Sequence, residues 1–154
     1  MMQNKLFFGG MLVCFMVTNC YSQTNPPVAE VFVGSTPCDV LVKSTLKIPA
    51  DTPCEFIKWN LSLHTNGKDP DTYQLTALYG VSQPNTNGFI GGGEKISVTG
   101  KYTARNNLYR LTAENLQWPI FLIVMDKNIL HFADSTKKFI VGNGGFGYVL
   151  NKVK

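Results

Sequence analysis

Two cysteines and two histidines in the body of this chain are the residues best suited to bond formation, metal ligation or proton transfer. Cys38 and Cys54 are the only cysteines beyond residue 20. An even pair in an exported chain reads as one disulfide, closing a loop over residues 39–53. His64 continues the polar parity of an alternating segment and adjoins a turn, so a solvated strand-end side chain is expected. His131 lies between Leu130 and Phe132, which take the opposite face, so it points outward or into a polar lumen. A mixed site of these four would need reduced thiols, which export disfavours. Neither histidine has a second ligand at H-x-E-type spacing. No metal site and no cofactor are expected.

Export itself is read from the N-terminus. Residues 6–17 form an uncharged apolar run behind Lys5. The run is shorter than the roughly 20 residues a membrane-spanning helix needs, and it has the flanks of a secretory signal. Residues 1–22 are therefore expected to be a signal peptide, with small residues placed for a cut before Gln23. A second route is equally open. Val17-Thr18-Asn19-Cys20 resembles a bacterial lipobox, which makes Cys20 a candidate lipid attachment site. Lipidation would anchor the chain at a membrane and plain cleavage would release it. Localisation is thus expected to be the bacterial periplasm or outer membrane, or secretion. Contact with a membrane is expected only through such an anchor. Residues 23–27 are a short leader, and residues 28–154 make one domain.

Other motifs that could carry chemistry lack their frame. Gly91-Gly92-Gly93-Glu94-Lys95 does not have P-loop spacing, and a strand pattern follows it rather than a helix. Ser35 follows Gly34 outside any G-x-S-x-G. Asp69 and Asp71 flank Pro70 in a turn, where acids are routine. No catalytic residue is assigned, and the chain is read as non-enzymatic. Loss of Lys5 with the signal leaves 13 basic against 10 acidic residues, a net +3. The basic residues are scattered, so nucleic acid is not an expected partner.

The elements that would carry these residues are strands. Ile57, Trp59, Leu61 and Leu63 share one parity, with Lys58, Asn60 and Ser62 on the other, the pattern of a half-buried antiparallel strand. Asn66-Gly67 marks a turn. Alternation resumes through Tyr73, Leu75, Ala77 and Tyr79, then through Ile96, Val98, Gly100 and Tyr102. Residues 107–113, 119–125, 129–133, 139–141 and 148–152 read as further short strands, as do residues 31–34 at the front. Eight or nine strands at close spacing predict an all-β fold. A single antiparallel barrel of about eight strands is favoured over a sandwich, because closure removes exposed edges.

Residues 39–48 resist a strand assignment. A straight hairpin with residues 56–63 would put Cys38 at its open end and Cys54 near its turn. Ten strand residues span about 33 Å, whereas a disulfide needs Cα atoms within roughly 7 Å. The disulfide is chosen, so residues 39–53 are expected to be a compact stapled loop, with room for one helical turn, over one barrel end.

The segment Cys54-Glu55-Phe56-Ile57-Lys58-Trp59-Asn60-Leu61-Ser62-Leu63-His64-Thr65-Asn66-Gly67 resembles the C-E-x-I-x-x-x-L-x-L-x-x-x-G stretch of the NlpE-like envelope lipoproteins. Gly34-Ser35-Thr36-Pro37-Cys38 resembles the G-x-x-P-C that precedes it there. Leu130 with Asp134, and Tyr148 with Leu150, resemble that family's closing motifs. The resemblance implies a small lipocalin-like barrel in the cell envelope, linked to copper resistance and to sensing of envelope stress. The family's two cysteines form a C-x-x-C, whereas here fifteen residues separate Cys38 from Cys54. Four of the five methionines lie within residues 1–16, leaving Met125, placed in a core strand, as the one soft thioether of the domain.

The function expected is a binding or stress-sensing module, with a structural protein lacking a small ligand, or a copper-homeostasis lipoprotein, as the alternatives. Its expected partner is a small apolar molecule or an envelope protein. Trp59, Tyr73, Tyr79, Tyr102 and Phe132, on alternating strands, are the candidate ligand-contacting aromatics.

Overall fold

The structure, a computed structural model, describes residues 28–65 and 71–153. The signal segment, Cys20, the leader and the Asn66-Gly67 turn lie outside the described residues. Eight antiparallel strands follow one another around a closed barrel: β1 (Val28–Pro37), β2 (Phe56–Thr65), β3 (Asp71–Gly80), β4 (Glu94–Arg105), β5 (Leu108–Thr112), β6 (Ile120–Asp126), β7 (Ile129–Ala133) and β8 (Val149–Lys152). Closure is made where Phe32 faces Lys152 and Val33 faces Asn151. Each strand pairs with its sequence neighbours, so no described strand presents a free edge.

The alternation of apolar residues decides what fills the interior. Ile57, Trp59, Leu61 and Leu63 of β2 are all buried, as are Tyr73, Leu75, Ala77 and Tyr79 of β3. Two inward positions are glycine, and both face a large ring across the sheet. Gly34 pairs with Trp59, and Gly100 with Tyr73. A Cβ on Gly34 would stand 2.2 Å from the Val149 carbonyl oxygen. One on Gly100 would stand 2.8 Å from Cε1 of Tyr73. Missing side chains thus let β1 approach β8 and let the Tyr73 ring lie across β4. Fully burying a Leu or Ile is worth about 1.5–3 kcal/mol, so this lumen is the main store of stability.

The two ends differ. One carries the tight turns at residues 106–107 and 127–128. There, the inward-facing ion pair of Glu30 and Lys152 lies near Tyr102 and Tyr109. The Tyr102 and Thr65 hydroxyls are 2.8 Å apart. The other end carries the long connections: residues 38–55, 81–93, 113–119 and 134–148.

The first of these connections is the stapled loop. Cys38 and Cys54 are disulfide-bonded, with Cα atoms 5.7 Å apart. Between them stands one short helix, α1 (Val40–Thr45). Asp39 caps it, accepting from the Val42 amide at 3.0 Å through Oδ1. Val42, Leu46 and Ile48 are buried against the barrel end. Lys43 closes the rest of the loop by donating to the carbonyls of Ala50 (2.9 Å) and Thr52 (2.8 Å).

Three expectations need correction. Residues 139–141 form no strand; Phe139 makes only an isolated bridge to Ala133. The carboxylate of Asp134 accepts from the amides of Thr136 (2.8 Å) and Lys138 (3.0 Å), so the chain turns before it can ladder. Met125 is not core: the β6–β7 register shifts between Val124 and Asp126, and the side chain is half exposed. His64 is half-buried rather than solvated, and its Nε2 is shielded with no partner among the described residues.

Candidate functional site

Four of the five candidate aromatics fill the barrel. Trp59 packs inside, and its indole N–H donates to the Thr36 hydroxyl at 2.9 Å. That hydroxyl donates onward to the Pro37 carbonyl at 3.2 Å. Tyr73 is fully buried and its hydroxyl finds no partner among the described residues. Burial pushes its ionisation up to about 12. Tyr102 is buried at the hairpin end. Tyr79 lies near the loop end, donating to the Glu94 carboxylate at 2.6 Å. That hydrogen bond, with burial and the Glu94 charge, raises its pKa to about 12.

Phe132 is different. It stacks at a tilt on Trp59, with ring centroids 5.2 Å apart, and meets Tyr148 edge-on at 6.0 Å. Its other side borders a cavity of about 430 Å³ at the loop end. Three segments wall this cavity. Helix α1 supplies Leu41, Val42 and Thr45; the start of β6 supplies Trp118, Pro119, Ile120 and Phe121; the β7–β8 connection supplies Asp134, Ser135 and Ile140. Phe132 and Tyr148 also line it. The volume falls within the range of small-molecule sites, and the lining is mostly apolar.

The walls are tied to one another. The Gln117 amide donates to the Thr45 carbonyl at 3.0 Å, and the Trp118 indole N–H donates to the Ser44 hydroxyl at 3.4 Å. Lys47 donates to the Glu114 carbonyl at 3.3 Å. Tyr148 donates to Oδ2 of Asp39, so one carboxylate both caps α1 and holds the cavity floor. Burial, then this hydrogen bond and the Asp39 charge, raise the Tyr148 pKa strongly. Asp134, at the rim, is held below its ordinary value by the Lys138 amide and the Thr136 hydroxyl, so it is ionised at neutral pH.

The disulfide pairs the two cysteine sulfurs of the domain with each other. His131 donates from Nδ1 to the Phe132 carbonyl at 2.8 Å, and its ring lies 4.8 Å from that of Phe139. No trio of His, Cys, Asp or Glu among the described residues is placed to hold a metal ion.

Sequence reasoning missed Trp118, Leu41 and Ile140. One signal was available. Trp118 precedes Pro119 at a strand start, and a large aromatic in a loop has no strand face to hide on; it is 56% exposed. Comparison with protein-family models, curated proteins and solved structures found no significant match to this chain.

Proposed function

We propose that this chain is an exported, non-enzymatic binding module that takes a small apolar molecule in the cavity between α1, the start of β6 and the β7–β8 connection. The observation that carries this reading is the contrast between a lumen filled by its own side chains and an apolar cavity of about 430 Å³ beside it. Six of the large exposed hydrophobic residues, Val40, Leu41, Ile90, Trp118, Phe139 and Val141, stand on the connections of this same end. Export is supported by the disulfide, since such bonds persist in oxidising compartments. A sensing role in the envelope, as in the NlpE-like family that residues 34–67 resemble, belongs to the same proposal and rests on that segment.

The test is a titration with the neutral fluorescent probe N-phenyl-1-naphthylamine. Saturable binding at one site per chain is expected, with quenching of Trp118 emission. Leu41→Glu, which places a charge on a cavity wall at a partly exposed position, should weaken binding at least tenfold while leaving the fold intact by circular dichroism. Binding that does not saturate, or that ignores Leu41→Glu, would overturn the proposal.

A further inference from the structure

The lining of this cavity has a one-sided chemistry. It contains four aromatic rings, Trp118, Phe121, Phe132 and Tyr148, and one charged group, the carboxylate of Asp134. No Lys, Arg or His among the described residues lines it. Lys137, on the same turn as Asp134, lines a separate groove with Arg105 and Arg110 on the outer surface beyond Phe121. Lys138 contributes its backbone amide to Asp134, and its exposed ammonium acts on that carboxylate as the weakest of the influences that lower its pKa. Aromatic faces carry negative potential and attract cations, Trp most strongly. Tyr148 donates its hydroxyl to Asp39, which enriches its ring in electron density and sets a second carboxylate behind the floor.

Resting on the reading of this cavity as a ligand site, we propose that its ligand is an organic cation with an apolar body: a quaternary or protonated amine whose tail lies on Leu41 and Ile120 while its charge sits among the rings near Asp134. Asp134 uses Oδ1 for the turn, accepting there from the Thr136 amide, the Thr136 hydroxyl and the Lys138 amide. Oδ2 takes part in none of these three bonds and is the oxygen left for the ligand charge. An anionic amphiphile meets the same carboxylate and is rejected.

The experiment is displacement of N-phenyl-1-naphthylamine by n-octyltrimethylammonium, 1-octanol and octanoate, each below its aggregation concentration. The cation should displace the probe at a concentration about tenfold below that of octanol, in keeping with one cation–π contact and a partly exposed ion pair. Octanoate should be weakest. Asp134→Asn keeps the Oδ1 acceptor and so the turn. It should bring the cation and octanol to within about twofold of each other. Trp118→Leu should shrink the cation's advantage in the same way. Equal displacement by cation and alcohol in the native chain would overturn the cation proposal and leave the apolar-site reading standing. No probe binding at all would remove both.

Discussion

Removing the staple with the Cys38→Ala, Cys54→Ala double variant should cost about 3 kcal/mol. The bond joins residues 16 apart in sequence. In the chain-entropy model, closing a loop of that length restricts the unfolded chain by about 10 cal/mol/K, or about 3 kcal/mol at 25 °C. The folded state should change little, because other contacts hold the loop. Val42, Leu46 and Ile48 stay buried, and the Cys38 amide donates to the Glu55 carbonyl at 3.1 Å. Most of the effect therefore acts on the unfolded ensemble. The assay is urea unfolding followed by far-UV circular dichroism, on native and variant protein. The midpoint should fall while the slope rises somewhat, because the unlinked unfolded chain exposes more surface, and the thermal midpoint should drop by roughly 10 °C for a domain of this size. A loss under about 1 kcal/mol would refute the reasoning. So would one single-cysteine variant proving silent while the other is not.

Three further outcomes are expected. Trp59→Ala should cost about 3–5 kcal/mol by equilibrium unfolding, because the indole fills the lumen opposite Gly34; a negligible loss would place it outside the core. Tyr73→Phe should leave stability unchanged or raise it by about 1 kcal/mol, since it removes a buried hydroxyl that has no partner among the described residues; a clear loss would reveal a bound partner. The barrel should unfold in alkali. Tyr73 and Tyr79 ionise near 12 in the fold, and Tyr102, Tyr109 and Tyr148 are also raised. Neutral phenols therefore stabilise the fold fully below their ordinary value of 10, and that contribution is lost as pH rises through the folded values. Absorbance at 295 nm should show these five ionising together with loss of circular dichroism above about pH 11.

Much of the barrel was legible because burial in a strand has period two. The parity through Ile57, Trp59, Leu61 and Leu63 is the inward face of β2, and the disulfide geometry excluded a straight hairpin across residues 39–63. What parity could not report is whether the inward side is full or empty. That depends on volume: Trp59 and Tyr73 occupy the space left by Gly34 and Gly100, pairings known only once register is set. The cavity was illegible for a related reason. Its walls come from residues 41–45, 118–121 and 132–148, three segments far apart in sequence that are tied by contacts such as Tyr148–Asp39, Gln117–Thr45 and Trp118–Ser44. Residues 139–141 looked like a strand because three apolar residues follow two lysines. The Asp134 carboxylate instead fixes a turn there, and Val141 is left exposed.

Location of the bound probe tests the central claim most directly. Methyl-labelled protein with saturating N-phenyl-1-naphthylamine should give intermolecular nuclear Overhauser contacts to Leu41, Ile120 and Ile140, which line the rim cavity. Contacts instead to Leu61, Leu75 and Val98, all in the packed lumen, would contradict it.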